Sequence, residues 1–148
     1  MAIYSFRKIT IIKHNKPERK NLNQDLQWFS NSLGLFGERD KERSCFRIFI
    51  EIVKGARRKI HYTSDELALK TNLTRGTVVH HLNKLNEKGL IIFNNGRYIL
   101  RVNNLEDLTK ERRKEMNTVL EELQSMAKEL DKELGLERKD SRSDSISD

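Results

Sequence analysis

The sequence predicts a mainly α-helical protein with one small β-hairpin, an α+β arrangement that ends in a long helix. Three observations support this prediction. Apolar residues recur at spacings of three and four over much of the chain, which is the period of helices buried on one side. The pair Asn95-Gly96 separates two short apolar runs and favours a tight hairpin turn. The 148 residues include one Pro and seven Gly, which argues against a loop-rich chain.

The first 40 residues are predicted to form an extension. β-Branched and aromatic residues over 2–12 predict a strand, and the polar segment 14–23 predicts a loop. Leu26, Phe29 and Leu33 share one face of a short helix predicted over 24–35.

Residues 41–102 are predicted to form the central domain. Its first helix is expected over 41–54, with Gly55 as the stop signal at its C-terminal end. A basic turn at 56–59 and a short strand at 60–63 are expected to follow.

Two further helices and a hairpin complete the central domain. The sequence from Thr63 to Glu66 has the form of a capping box, so a short helix should begin there. Asn72 suits the left-handed backbone of a tight turn. The next helix is predicted over 74–88, with Val78, Leu82 and Leu85 as its buried stripe and with the hairpin strands after it.

This order of helix, strand, helix, turn, helix and hairpin resembles the winged helix-turn-helix regulators of the ArsR-like and MarR-like group. The residues that carry the resemblance are Tyr62 to Ala68, YTSDELA, and Leu73 to Ile91, LTRGTVVHHLNKLNEKGLI. The resemblance implies a DNA-binding domain whose recognition helix 74–88 enters the major groove. It also implies that the wing, 90–102, reaches the minor groove or the DNA backbone.

The recognition helix carries polar and small residues opposite its buried stripe, as reading of base edges requires. The DNA-contact candidates on it are Arg75, Gly76, Thr77, Val79, His80, Asn83 and Lys84. His81 lies toward the buried stripe and is expected to be a structural, partly buried residue.

Basic residues outside that helix extend the predicted DNA-binding set. Arg97 matches the wing tip in the resembling families, although a solvated arginine is an equal alternative. Arg58 and Lys59 are further candidates. The window 54–101 holds ten Lys and Arg against three Asp and Glu, so it carries the formal +7 of the whole chain. Such a concentration favours phosphate contacts.

The long helix predicted within 103–135 is expected to join two copies of the chain. Its apolar residues follow a coiled-coil pattern over about two heptads. The dimerisation candidates are Met116, Val119, Leu123, Met126 and Leu130. The alternative is that this stripe packs on its own domain, against Trp28 and Phe29. Residues 136–148 are polar and are expected to be a disordered tail.

Several classes of function lack support in the sequence. Cys45 is the single cysteine, and the four histidines share no ligand spacing, so no metal site is predicted. No catalytic motif and no cofactor motif are recognised. No membrane span or secretory signal is recognised, so a cytoplasmic protein is expected. The sequence identifies no small-molecule effector.

The sequence thus predicts a homodimeric, sequence-specific transcriptional regulator that binds double-stranded DNA and is not an enzyme. The alternative is a winged-helix scaffold, an architectural subunit of a transcription or chromosome-organising complex that binds protein or non-specific DNA. RNA binding is a third option, but the chain lacks an aromatic stacking platform.

Overall fold

The computed structural model describes residues 9–18, 21–35 and 43–137. The chain divides into two compact units, residues 1–109 and residues 110–148. The described helices and strands are α1 (Leu22–Ser32), α2 (Ser44–Arg58), α3 (Ser64–Thr71), α4 (Arg75–Glu87), β1 (Ile91–Asn94), β2 (Arg97–Leu100) and α5 (Leu105–Leu134). This order confirms the predicted fold class, mainly helices with a small hairpin and a long final helix. The finer domain boundaries stay predictions.

The N-terminal segment differs from the prediction. A strand was expected over 2–12, but residues 9–12 form none, and residues 2–8 lie outside the described part. The Ile12 amide donates instead to the carbonyl oxygen of Ser32 at 2.8 Å, at the end of α1. The apolar side chains of residues 9–12 therefore belong to no described sheet, and Ile11 and Ile12 are exposed.

Helix α2 ends four residues later than predicted, and Gly55 does not end it. The helix continues through the expected basic turn to Arg58, and Lys59 ends it with a left-handed backbone, φ 57°. Gly55 has a packing role, because a Cβ there would lie 2.7 Å from Tyr62 Cε2 and 2.9 Å from the carbonyl oxygen of Ile60. Glycine is needed so that the following segment can fold back closely on the helix.

The helix-turn-helix follows its local signals closely. Thr63 and Glu66 form the predicted capping box at the start of α3, with Thr63 N to Glu66 Oε1 at 3.2 Å and Glu66 N to Thr63 Oγ1 at 3.1 Å. Asn72 ends α3 with φ 56°, as expected for the turn. Thr74 caps α4 by accepting a hydrogen bond from the Thr77 amide at 3.2 Å.

The hairpin also forms where the sequence predicts it. β1 and β2 pair antiparallel with Asn94 opposite Arg97, so the turn contains two residues. Asn95 and Gly96 have φ values of 52° and 76°, and positive φ at both positions is typical of a primed hairpin turn. The expected strand at 60–63 is reduced to a single bridge between Tyr62 and Tyr98.

One hydrophobic core holds the first unit together. It joins α2, α3, α4, the hairpin and the first turn of α5. Its fully buried side chains, each at most 2% exposed, are Ile48, Phe49, Ile52, Leu67, Val78, Leu82, Leu85, Leu90, Ile91 and Leu108. Two hydrogen bonds hold the N-terminal segments. Lys88 Nζ donates to the carbonyl oxygen of Gly34 at 2.8 Å, and Trp28 Nε1 donates to that of His14 at 3.0 Å.

Helix α5 begins and ends at the predicted signals. Asn104 accepts a hydrogen bond from the Asp107 amide at 2.7 Å, and Gly135 follows the helix with φ 74°. Its 30 residues correspond to about 45 Å of helix. The predicted disordered tail lies outside the described residues from 138 onward.

Candidate nucleic-acid interface

Helix α4 has one buried and one exposed face. Val78, Leu82 and Leu85 are 0% exposed and fix the helix to the core. His81 is also buried, at 8% exposure, in agreement with its predicted structural role. The opposite face lies in solvent. Its exposed residues are Arg75, Gly76, His80, Asn83 and Lys84, and Thr77 and Val79 are partly exposed. All seven candidates on this helix therefore remain accessible.

Arg75 has an acidic neighbour on the preceding helix. Its Nε lies 3.3 Å from Asp65 Oδ1, and the two side chains are 72% and 73% exposed. An ion pair that is this exposed to solvent contributes little to stability. The pair nevertheless orients the guanidinium at the start of α4, and a phosphate or a guanine edge can replace the carboxylate at small cost.

Gly76 leaves open space at the start of α4. A Cβ built at this position has no atom within 4 Å. Its helical backbone needs no positive φ, so the fold itself does not require glycine there. An exposed glycine in a first turn allows another molecule to approach the backbone closely.

Arg97 does not extend from the wing tip, because α3 holds its side chain. Its Nη1 donates to the carbonyl oxygen of His61 at 2.8 Å and to Glu66 Oε1 at 3.0 Å. Glu66 belongs to the capping box of α3. The hairpin is thus tied to the N-terminus of α3 by a charged contact between residues 31 positions apart.

The capping box and Arg97 also determine the ionisation of Glu66. The backbone N–H of Thr63 is the main cause that lowers the pKa of Glu66, followed by the Thr63 hydroxyl and then Arg97. Glu66 therefore keeps its negative charge, and its bond to Arg97, at pH values below the usual range of a glutamate.

Arg58 and Lys59 lie at the end of α2, outside helix α4. Both are exposed at the C-terminal end of α2. Arg58 lines a cleft with Lys54, Arg57, Tyr62 and Lys70, among others. Lys59 lines a separate cleft beside Ile99 and Leu100 of the hairpin. The structure therefore divides the predicted contacts into an α4 group and a group at the end of α2.

The exposed ring of Phe93 is a further candidate that sequence reasoning missed. Phe93 lies on β1, is 56% exposed, and its ring centroid is 4.7 Å from that of Tyr98. The sequence signal was available, because Phe93 lies only two residues before Asn95, the first residue of the turn. A strand of four residues is too short for its alternation of apolar and polar side chains to predict whether this ring is buried or exposed.

The described residues offer no sign of a metal centre. Within 9–18, 21–35 and 43–137, no three His, Cys, Asp or Glu side chains come together in a way that could hold an ion. Cys45 is 3% exposed and belongs to the core. In the same part of the chain, no helix combines the length and apolar character needed to cross a membrane.

Residues 57–92 match the family model described as bacterial regulatory protein, arsR family. The matched segment runs from the end of α2 through the helix-turn-helix into β1. Comparison with curated proteins and with solved structures found no match. Members of the arsR family are DNA-binding regulators rather than enzymes. The geometry and this match together show that the chain carries a winged helix-turn-helix domain similar to that of arsR-family DNA-binding transcriptional regulators.

Proposed function

We propose that the protein is a homodimeric, sequence-specific transcriptional regulator. Each subunit places α4 in the major groove of double-stranded DNA and its hairpin at the minor groove or backbone. The observation that carries this proposal is the division of α4, whose apolar face is fully buried while its polar face is exposed. A helix held in this way by a helix-turn-helix is the usual reader of base edges.

The exposed residues of α4 suit distinct DNA groups. Arg75 can pair with a guanine edge or a phosphate, and Asn83 has the amide geometry that recognises adenine. The methyl groups of Val79 and Thr77 can contact a thymine methyl. Gly76 lets the helix backbone approach the DNA closely, because no protein atom lies within 4 Å of the position of a Cβ there.

The apolar stripe of α5 supports the homodimer. Val119, Leu123, Met126 and Leu130 are between 41% and 60% exposed in the single chain. With Met116 they occupy alternating positions three and four residues apart, which is the seam of a left-handed coiled coil. Leu120 and Leu134, 52% and 67% exposed, widen the same stripe.

A second copy of the chain is the occupant that this stripe fits best. It presents the identical seam, and a two-fold pair of helices covers both stripes at once. The same symmetry presents two copies of α4, so we propose a preferred DNA site with two inverted half-sites.

Selection of bound sequences from a random DNA pool tests the recognition part of this proposal. We expect an inverted repeat to be enriched. Affinity for the selected DNA should then fall about tenfold or more in the double variant Arg75→Ala/Lys84→Ala. The control is Lys128→Ala/Lys132→Ala, which removes equal charge from α5. Equal losses in the two double variants would contradict the assignment of α4.

The mass in solution tests the dimer. Leu123→Glu places a charge in the seam and should yield a monomer at concentrations where the unchanged protein is a dimer. Lys128→Glu lies outside the seam and changes the net charge more, yet the dimer should persist. A Leu123→Glu protein that remains dimeric would show that α5 is not the interface.

Affinity for random DNA at rising salt separates a regulator from a scaffold. We expect a large ratio between selected and random DNA that persists as salt increases. A ratio near one at every salt concentration would instead indicate an architectural protein that binds through charge alone.

A further inference from the structure

A basic cleft lies at the C-terminal end of α2. Its volume is about 390 Å³, which is within the range of small-ligand sites. The residues lining it are Glu51, Lys54, Arg57, Arg58, Tyr62 and Lys70. Three separate segments contribute to it, namely α2, the link that follows α2, and α3.

The cleft carries an excess of positive charge. Four cationic side chains face one carboxylate, so the net formal charge of its lining is four minus one, or +3. Glu51 Oε1 lies 3.9 Å from Lys54 Nζ, and Lys70 Nζ lies 5.4 Å from the centroid of the Tyr62 ring. Within the described part of the chain, the side chains of Arg57 and Arg58 form no hydrogen bond or ion pair.

We infer that this cleft binds phosphate groups. Like charges gathered in one cleft repel each other, and an anion between them removes that repulsion. The two arginines have planar forks that match phosphate oxygens, and both are exposed. The largely buried Tyr62 ring forms part of the cleft wall.

The cleft borders the segment that holds the hairpin. Tyr62 exchanges two backbone hydrogen bonds with Tyr98 of β2, at 3.4 and 2.7 Å. The neighbouring His61 carbonyl accepts the bond from Arg97. A phosphate in the cleft therefore lies next to the residue that pairs with β2 of the wing. Two sources supply this chemistry, a DNA backbone phosphate beside the wing or a free polyphosphate, and the inference does not require the proposed regulatory function.

Pyrophosphate is the probe for the free source. A titration of the full chain is monitored through backbone amide NMR signals, with Arg57→Ala/Arg58→Ala as the test variant and Lys128→Ala/Lys132→Ala as the control. We expect saturable shifts at Arg57, Arg58 and Tyr62 that the test variant loses and the control keeps. The single variant Lys70→Ala, on another helix, provides the same test should the double variant fail to fold.

The salt dependence of DNA affinity is the measurement for the DNA source. Loss of two phosphate contacts should reduce the slope of log affinity against log salt by about two in the test variant and not in the control. Either result supports phosphate binding in the cleft. An unchanged slope together with pyrophosphate shifts that are absent, or equal in both variants, would overturn it. If the unchanged protein binds no DNA, the regulatory proposal fails and the pyrophosphate titration alone decides.

Discussion

The Arg97 guanidinium of the hairpin lies 3.0 Å from the Glu66 carboxylate of α3. The two side chains are 49% and 45% exposed, so water and salt weaken their attraction. The bond still has a geometric role, because Glu66 is fixed by the capping box and the same Arg97 nitrogen also binds the carbonyl oxygen of His61. Arg97 therefore positions the wing relative to the helix-turn-helix.

Arg97→Ala should loosen the hairpin. We expect faster hydrogen exchange of the β1 and β2 amides, and several-fold weaker DNA binding because the wing is no longer held. Glu66→Gln keeps a capping side chain but removes the charge, and it should change both measurements in the same direction. If Arg97 instead contacts DNA directly, Glu66→Gln would release it and leave the affinity unchanged or stronger.

The lowered pKa of Glu66 predicts a specific dependence of stability on pH. Because the folded pKa lies below the usual value, the contribution of Glu66 is fully present at neutral pH. It is lost as pH falls from the ordinary glutamate value of about 4.3 through the lower folded one. Denaturant midpoints measured across this acid range should fall less steeply for Glu66→Gln than for the unchanged protein. Parallel curves would mean that Thr63 and Arg97 do not lower the pKa of Glu66 in the folded protein.

Gly76→Ala should separate stability from DNA binding. The added methyl group meets no atom within 4 Å, and alanine favours helix over glycine by roughly 0.5–1 kcal/mol. The free energy of unfolding should therefore rise or stay level, while DNA affinity falls because the methyl group occupies the space left for the groove. Undiminished affinity would show that DNA does not approach α4 at this point.

Gly55→Ala provides the matched contrast, because it is also a helical glycine. Its methyl group would lie 2.7 Å from Tyr62 Cε2 and 2.9 Å from the Ile60 carbonyl oxygen. Overpacking of this kind typically costs more than the helix propensity restores, so we expect a net loss of about 1–2 kcal/mol in unfolding free energy. A thermal or chemical denaturation series measures it. A stabilised Gly55→Ala protein would show that the link after α2 moves freely.

Most of the central fold was predictable because its signals are local. The capping box at Thr63, the turn at Asn72, the cap at Thr74 and the Asn95-Gly96 hairpin each depend on groups within about four residues. The prediction failed at Gly55, where the sequence shows a helix stop signal. Gly55 instead lies within the helix, and the absence of a side chain lets Tyr62 and Ile60 pack closely against it. A local reading does not detect such contacts.

Local signals were enough to predict the helix-turn-helix, its hairpin, the buried stripe of α4 and the exposed set opposite it, since periodicity and capping act over short stretches of chain. The partners of the long charged side chains, in contrast, follow from the packing of segments that are distant in the chain. This packing directs Arg97 to Glu66 rather than outward, and it gathers Arg57, Arg58 and Lys70 into one cleft. These arrangements depend on chain segments that meet only when the core closes, so no local pattern encodes them.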